Sequence, residues 1–305
     1  MEKNLNNRMK NFNVIGLSRV WLGISSVLII ASIACIAIFG LNFGIDFTGG
    51  SLIEMQFGDE VTSDVIISDF QALGYEVTPQ ESDKGIWLVR LQTITSEEHT
   101  TILGQLSDNH ESFEELRFES IGPVIGQELK RKSVGAVILL LLLIMFYVAW
   151  AFRKVSKPVS SWKYGLLTIV AALHDVIIPV GVFSVLGHFY GYQIDTAFIA
   201  AMLTILGYSI NDTIVVFDRT RENLVTNRHS DVSFDEIVNK SVIQSFGRSI
   251  NTSVTTMLVL LAIFLFGALT IKPFVLALII GIISGAYSSI FIASPLLVYW
   301  QKRIK

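Results

Sequence analysis

The amino-acid sequence predicts a polytopic α-helical membrane protein with six transmembrane helices and a small ferredoxin-like α+β domain between the first two. Of its 305 residues, 51% are hydrophobic and only 16% are charged, and the mean hydropathy is +0.57. Such values are unusual for a water-soluble chain of this length. The single cysteine, Cys35, has no partner for a disulfide, so the domain outside the membrane must fold around its own core.

Six apolar runs approach the ~20 residues needed to cross the hydrocarbon core of a bilayer. They cover residues 20–39, 134–152, 164–186, 196–217, 250–269 and 274–300. The first run is interpreted as an uncleaved anchor rather than a signal peptide, because it is long and five more runs follow. An even number of spans predicts that both termini lie on the same side of the membrane.

Positive charge predicts which side that is, because cytoplasmic loops are enriched in Lys and Arg. The basic residues on the side of the termini are Lys3, Arg8, Lys10, Arg19, Arg153, Lys154, Lys157, Lys163, Arg219, Arg221, Arg228, Lys240, Lys302, Arg303 and Lys305. Lys130, Arg131 and Lys132 are the exception. The predicted organisation is a cytoplasmic segment at 1–19, the first helix at 20–40, an extracytoplasmic α+β domain at 41–132, and a five-helix bundle at 133–305 that ends in the cytoplasm.

The outer domain is acidic and has a regular pattern of elements. Residues 42–128 contain 17 acidic and three basic side chains, a net charge of −14, which excludes nucleic acid as a natural partner. Strands are predicted at SLIEMQF, YEVTPQ, IWLVRLQT and FEELRFES, with one helix over 63–73 and a second helix that opens with a capping box of Thr95 and Glu98. The order βαββαβ is typical of the ferredoxin-like fold, which by itself defines no function.

Asp212 is the most unusual residue of the predicted bundle. It lies about five residues inside the end of the fourth span, where a carboxylate costs about 2.5–3.5 kcal/mol on insertion scales. Such a cost favours a functional role over a purely structural one. The alternative is a structural role, in which Asp212 forms an interhelical hydrogen bond with Asn or Thr on a neighbouring helix.

Arg248, near the start of the fifth span, is at a depth that matches Asp212 and is its candidate partner. The alternative is that Arg248 only adds to the positive charge on the cytoplasmic side. Helical spacing places Tyr208 and Asn211 near Asp212, and Thr252 and Thr255 one turn or two beyond Arg248, so these residues predict a polar seam between the two spans.

His174 and Asp175 fall near the middle of the third span. Adjacent helical residues point about 100° apart, so one is expected to face the bundle and the other a neighbour. The pair is either polar packing or part of a proton relay. It does not predict a metal site, because adjacent residues lack the spacing of a helical ligand pair.

Two small-residue motifs complete the candidates. Gly281, Gly285 and Ser288 on the sixth span are predicted to form a mating surface for a helix of another subunit. GIDFTGG, at 44–50, predicts a glycine-rich turn after the first span; it lacks the lysine and the following helix of a phosphate-binding loop.

Five motifs, in this order along the chain, resemble those of the SecF family, the smaller membrane subunit of the bacterial SecDF protein-export factor. They are GIDFTGGSLIEMQF, IGPVIGQEL, LHDVIIPVG, GYSINDTIVVFDRTREN and RSINTSVTT. The order of one span, one outer domain and five spans is also similar to half of a resistance-nodulation-division transporter.

The resemblance implies a subunit of the bacterial cytoplasmic membrane that pairs with a SecD-like subunit and assists the SecYEG channel with its SecA motor. Such a subunit uses the proton gradient to help a preprotein complete translocation, without enzymatic activity or a cofactor. Asp212 and Arg248 match the intramembrane aspartate and arginine of the family motifs. Burial and Arg248 have opposed effects on the affinity of Asp212 for protons, which predicts a site that can load and release one.

Three other functions fit parts of the pattern. An intramembrane aspartyl protease would use Asp175 and Asp212, but the GxGD and YD motifs of such proteases are absent. A small-molecule proton antiporter would use the same carboxylate as the proposed switch. A scaffold would need the polar seam only to hold helices together.

Overall fold

The structure is a computed structural model, and it describes residues 13–58, 61–83, 85–153 and 159–302. The basic residues Lys3, Arg8, Lys10, Lys84, Lys154, Lys157, Arg303 and Lys305, and the acidic residues Asp59 and Glu60, lie outside the described residues. The chain divides into two compact units. The membrane unit comprises residues up to 40, 137–186 and 200 onward, and the α+β unit comprises 41–136 and 187–199.

The described helices and strands alternate in the predicted order. In chain order they are α1 (Ser18–Phe39), α2 (Ile45–Thr48), β1 (Gly50–Phe57), α3 (Ser63–Ala72), β2 (Thr78–Asp83), β3 (Ile86–Leu91), α4 (Ser96–Asn109), β4 (Phe113–Ile121), α5 (Pro123–Ala151), α6 (Ser161–Tyr190), α7 (Thr196–Thr226), α8 (Phe234–Phe266), α9 (Lys272–Ser288) and α10 (Ser294–Lys302). A π-helical segment, Ser289–Ala293, joins α9 to α10.

Within the described residues, six helices are long and apolar enough to cross a membrane, as the sequence predicts. The first five are α1, α5, α6, α7 and α8, and the sixth is the continuous stretch Leu269–Lys302, which contains α9, the π-helical segment and α10. These helices make the protein a multi-pass membrane protein.

Helix α8 begins at Phe234, well before the predicted start of the fifth span at residue 250. Its first half is amphipathic, with Val238 and Val242 buried and Lys240 exposed. Because polar residues alternate with apolar ones there, this half contains no apolar run. Ser233 and Glu236 form a capping box that fixes its first turn. With 33 residues, α8 is about 50 Å long, which exceeds the ~30 Å hydrocarbon core.

The described strands of the α+β unit form a four-stranded sheet in the order β2-β3-β1-β4. All neighbouring strands are antiparallel, and β1 lies between β3 and β4. Each half of the unit is therefore a split βαβ motif, which confirms the predicted ferredoxin-like fold. The first residue of β2 is Thr78 rather than the predicted Tyr75, because pairing with β3 begins at Thr78 and the Tyr75 N–H bonds instead to the carbonyl of Phe70.

Helices α3 and α4 cover one face of this sheet. Ile66 and Phe70 of α3 and Ile102 and Leu106 of α4 are completely buried, in a core that includes Trp87. The predicted capping box is confirmed: the Thr95 hydroxyl accepts from the backbone N–H of Glu98, and the Glu98 carboxylate accepts from the N–H of Thr95 at 2.7 Å.

The GIDFTGG motif, predicted to be a turn, contains the short helix α2, and the turn itself is at Gly49, just before strand β1. Gly49 has a φ of 76°, and a Cβ there would lie 2.8 Å from the Cα of Pro123, so only glycine fits. The Asp46 carboxylate accepts hydrogen bonds from the backbone N–H of Thr196 at 2.7 Å and from its hydroxyl at 2.5 Å. The motif thus supplies an acceptor for the first turn of α7.

Candidate functional site

The sequence-predicted site residues lie on three consecutive spans of the membrane unit. Helix α6 carries His174 and Asp175, α7 carries Tyr208, Asn211 and Asp212, and α8 carries Arg248, Thr252 and Thr255. The structure divides these residues into two groups with different surroundings. One group is centred on Asp175 and the other on Asp212.

Asp175 is completely buried and surrounded by hydrogen-bond donors. Its Oδ2 accepts from the hydroxyls of Ser209 at 2.5 Å and Ser288 at 2.6 Å, and its Oδ1 accepts from Ser284 at 3.1 Å. We call Ser209, Ser284 and Ser288 the serine cluster. The cluster joins α6 to α7 and α9 through one carboxylate.

His174 contacts Asp175 instead of diverging from it, so the expectation that these neighbours face different ways is wrong. Its Nδ1 lies 2.9 Å from Asp175 Oδ1, because the two side chains turn toward each other from adjacent positions. The His174 ring is 2% exposed and stacks against Tyr287 with centroids 6.1 Å apart. Its Nε2 is buried without a hydrogen-bond partner among the described residues.

Hydroxyl contacts extend from the serine cluster into the sixth span. Thr213 Oγ1 and Ser289 Oγ are 3.1 Å apart, and Ser289 donates to the backbone carbonyl of Gly285 at 2.8 Å. Ser289 is the first residue of the π-helical segment. Short π-helical segments inside α-helices occur frequently at functional sites. The polar contact between α7 and the sixth span is therefore a candidate part of the functional site.

The small residues of the sixth span lie inside the chain, so the prediction that they form an exposed mating surface is wrong. Gly281, Gly285 and Ser288 belong to the buried face of α9. A Cβ on Gly281 would lie 2.2 Å from Ile205 Cδ1, and one on Gly285 would lie 2.9 Å from the Cβ of Ser209. The glycines therefore let α9 approach α7 closely enough for the serine cluster to form.

Asp212 is also buried, with 3% of its surface exposed, but its surroundings are unlike those of Asp175. Its Oδ2 has no hydrogen-bond partner in the described part of the chain. The Arg248 side chain is exposed, and no ion pair between these two described residues is formed in this structure. Asp212 is thus a buried carboxylate with an oxygen that lacks a donor, next to a helix that carries an exposed arginine.

The polar seam between α7 and α8 depends on one tyrosine. The Tyr208 hydroxyl donates to the backbone carbonyl of Thr252 at 2.9 Å and lies 3.0 Å from Thr256 Oγ1. Thr255 bonds instead to carbonyls of its own helix, and Asn211 is exposed. Thr256 was not among the predicted residues, although its spacing of four from Thr252 placed it on the same face.

Polar side chains are exposed along the membrane-spanning parts of α7 and α8. They are Thr204 and Asn211 on α7 and Arg248, Asn251 and Thr255 on α8. Polar and charged groups in a span seldom face lipid, because the hydrocarbon cannot hydrogen-bond to them. Among the described residues, no group of three or more His, Cys, Asp or Glu side chains could hold a metal ion.

Part of the serine cluster could be recognised from the spacing of its residues in the sequence. Ser284 and Ser288 are four residues apart and therefore share a helical face, which also carries Gly281 and Gly285. Ser209 gave no comparable signal, because a single serine in an apolar span usually bonds to its own backbone. Its contact with Asp175 joins residues that are 34 positions apart.

Two family models match the chain. The model described as "Protein export membrane protein SecD/SecF, C-terminal" matches residues 102–303, and that of the "SecD/SecF GG Motif" matches residues 36–61. The six spans, with buried carboxylates on two of them, define a polytopic membrane protein. The chain belongs to the SecF family of protein translocase subunits.

Relatives and solved structures agree with this assignment. The protein translocase subunit SecF of Thermobaculum terrenum is 43% identical over 294 residues, covering 92% of this chain and 91% of that protein. The subunit SecDF of Thermus thermophilus is 36% identical, covering 96% of this chain but only 39% of that longer protein. A crystal structure of SecDF from Thermus, described as a translocon-associated membrane protein, superposes with a TM-score of 0.84 at 34% identity, over 96% of this chain and 39% of that one.

Proposed function

We propose that this chain uses the transmembrane proton gradient to promote late steps of preprotein translocation across the bacterial cytoplasmic membrane, with Asp212 as the group that binds the proton. The observation that carries the proposal is the contrast between the two buried carboxylates. Asp175 accepts from three hydroxyls and lies 2.9 Å from His174 Nδ1, whereas Asp212 has an oxygen without a donor. Binding a proton removes the poorly solvated charge of Asp212.

Arg248 supplies the counter-charge for the ionised state of this site. An arginine is always charged, and its long side chain can move between the exposed surface of α8 and a neighbouring carboxylate. When Asp212 is ionised, the arginine is attracted toward it; when Asp212 is protonated, the attraction disappears. The site therefore has two arrangements of α7 against α8, and proton binding selects between them.

The energy available at each step is sufficient for such a switch. A charge that crosses the full membrane potential gains about 2.3 kcal/mol per 100 mV. A two-state element whose forms differ by a few kcal/mol responds to a bias of this size. Asp175 then acts as a fixed anchor of α6, α7 and the sixth span while the α7–α8 contact changes.

A SecD-like subunit is the proposed partner on the exposed polar face of α7 and α8. Asn211, Arg248 and Asn251 need a polar neighbour within the membrane. The SecDF relative from Thermus thermophilus is more than twice as long as this chain, which supports a second half as that neighbour. The SecYEG channel with its SecA motor and the translocating preprotein are proposed as further partners, on the strength of family membership. Both termini are proposed to lie in the cytoplasm, and the α+β unit outside.

The decisive experiment compares Asp212→Asn with wild type. The amide keeps the size of the side chain but cannot titrate, so the variant should assemble normally and lose the stimulation of export by the proton gradient. The measurement is late-stage export of a preprotein into inverted membrane vesicles with and without a gradient. Arg248→Met should show the same loss.

Asp218→Asn is the matched control, because Asp218 lies on the same helix, is exposed, and pairs with Arg221. It should retain gradient stimulation at the wild-type level. If Asp212→Asn also retains it, the proton-binding role is wrong, and the carboxylate is polar glue in a scaffold. Gradient-driven movement of a small molecule by vesicles that lack the export channel would instead favour an antiporter.

A further inference from the structure

A cavity of about 1500 Å³ lies in the membrane unit, where helix α1 begins and helix α10 ends. Its walls come from the segment before α1, the amphipathic first half of α8, and the last turns of α10. Pockets for small molecules are usually about 300–1,000 Å³, so this cavity exceeds a site of that kind. Asp212 and Arg248 do not line it, whereas Asn251 of the exposed polar face of α8 does.

The charges that line the cavity have an excess of two positive. The cations are Arg19, Arg219, Lys240 and Lys302, and the carboxylates are Asp235 and Glu236. Lys302 pairs with Asp235, and Arg219 pairs with Glu222 at 2.7 Å. Arg19 hydrogen-bonds the Tyr299 hydroxyl, and Lys240 lies one helical turn after Glu236. Both are exposed and form no ion pair with a described carboxylate.

The same cavity has an apolar part that continues from the charged part. On α8, Ile243, Phe246 and Ile250 line the cavity beside a polar row formed by Lys240, Gln244 and Asn251. Val298 of α10 also lines it. A ligand that fits this arrangement has a negative head group at one end and a hydrocarbon chain at the other.

We propose that the cavity binds an anionic phospholipid, with its phosphate beside Arg19 and Lys240 and an acyl chain along Ile243, Phe246 and Ile250. The position in the membrane agrees with this ligand. Helix α8 is about 50 Å long, so its first turns extend beyond the hydrocarbon core into the head-group region. Basic pockets between transmembrane helices bind anionic head groups at this depth, and the positive excess favours an anionic lipid over a zwitterionic one.

The test is native mass spectrometry of the purified full-length chain in detergent with added phosphatidylglycerol, or with phosphatidylcholine that has the same acyl chains. Wild type should retain phosphatidylglycerol in preference to phosphatidylcholine. Arg19→Gln combined with Lys240→Gln should weaken binding of phosphatidylglycerol by roughly tenfold or more, since each basic residue near a membrane surface contributes to anionic lipid binding. Arg19→Lys combined with Lys240→Arg keeps both charges and should bind like wild type.

The matched control is Arg221→Gln combined with Arg228→Gln, which removes the same charge from residues that do not line the cavity. This control should change binding by less than about twofold. Unchanged binding of phosphatidylglycerol by the Gln variant at Arg19 and Lys240 would overturn the proposal, as would equal retention of phosphatidylcholine. Displacement of the lipid by inorganic phosphate at equal concentration would assign the site to a free anion. Chemical acylation of Lys240 could also be blocked by a co-purified protein and not by added lipid. That result would overturn the proposal and assign the cavity to a protein partner.

Discussion

The two buried carboxylates of the membrane unit have opposite surroundings. Asp175 is 0% exposed, accepts from Ser209, Ser284 and Ser288 and contacts His174 Nδ1, whereas Asp212 is 3% exposed and has an oxygen without a described partner. Burial alone does not distinguish the two carboxylates. The number of polar contacts does, because a buried polar group without partners is costly and one with several is held in place.

The comparison predicts unequal effects of removing each carboxylate. Asp175→Ala breaks four contacts at about 0.6 kcal/mol each and leaves buried hydroxyls unpaired, so it should lower the free energy of unfolding by about 2–4 kcal/mol. Asp212→Ala removes a poorly solvated charge and should change it by less than about 1 kcal/mol. Reversible unfolding in mixed micelles measures both values. Equal losses would show that the donors do not distinguish the two sites.

A second prediction concerns a substitution that weakens the serine cluster and leaves both carboxylates in place. A Cβ on Gly285 would lie 2.9 Å from the Cβ of Ser209, so Gly285→Ala should separate α7 from α9 and cost about 1–3 kcal/mol by overpacking. Gly207→Ala is the control, since no atom lies within 4 Å of its Cβ position. It should be neutral or stabilise by up to about 1 kcal/mol. If both variants behave alike in micelle unfolding, the close helix contact does not hold the cluster together.

The smallest expected effect concerns a carboxylate that has donors but lies outside the membrane. Hydrogen bonds from the backbone N–H and side chain of Thr95 lower the pKa of Glu98 below its ordinary 4.5. Ionised Glu98 therefore stabilises the start of α4 fully above about pH 4.5, and this contribution is lost as the pH falls through the lowered pKa. Hydrogen exchange of the first turn of α4 should show this loss in wild type.

Glu98→Gln should abolish that pH dependence, whereas Glu97→Gln should keep it, because Glu97 does not take part in the capping box. A wild-type pH profile in the Glu98→Gln variant would contradict the assignment. Since Glu98 is in water, its donors should matter less than those of Asp175, which sharpens the comparison between the two environments.

Most of the fold could be predicted because it follows from local patterns. Apolar runs gave the six spans, alternation gave the strands, and the spacing of Thr95 and Glu98 gave the cap of α4. Apolar runs did not predict the start of α8, because the first half of this helix is amphipathic. Ser233 and Glu236 have the same capping spacing as Thr95 and Glu98 and mark the true start.

The candidate site was predicted less completely, because its contacts join distant parts of the chain. The position of Asp212 inside an apolar span predicted its burial. The partners of Asp175 could not be read from the sequence, since Ser284 is 109 positions away and a buried aspartate accepts equally well from many residue types. The glycines of α9 showed a close helix contact but did not show whether the contact lies within the chain or between chains.

The π-helical segment Ser289–Ala293 has a consequence for the length of the sixth span. Its hydrogen bonds close rings that are one residue wider than those of an α-helix, so the segment holds an extra residue. The wider turn absorbs this extra residue, so deleting one of the five residues would give a regular α-helix in which Leu297 and Val298, which are buried, keep their face. A deletion within α9 that left the π-helical segment unchanged would instead rotate everything that follows by about 100°. A relative that lacks one residue in the π-helical segment can therefore pack its last two turns in the same way.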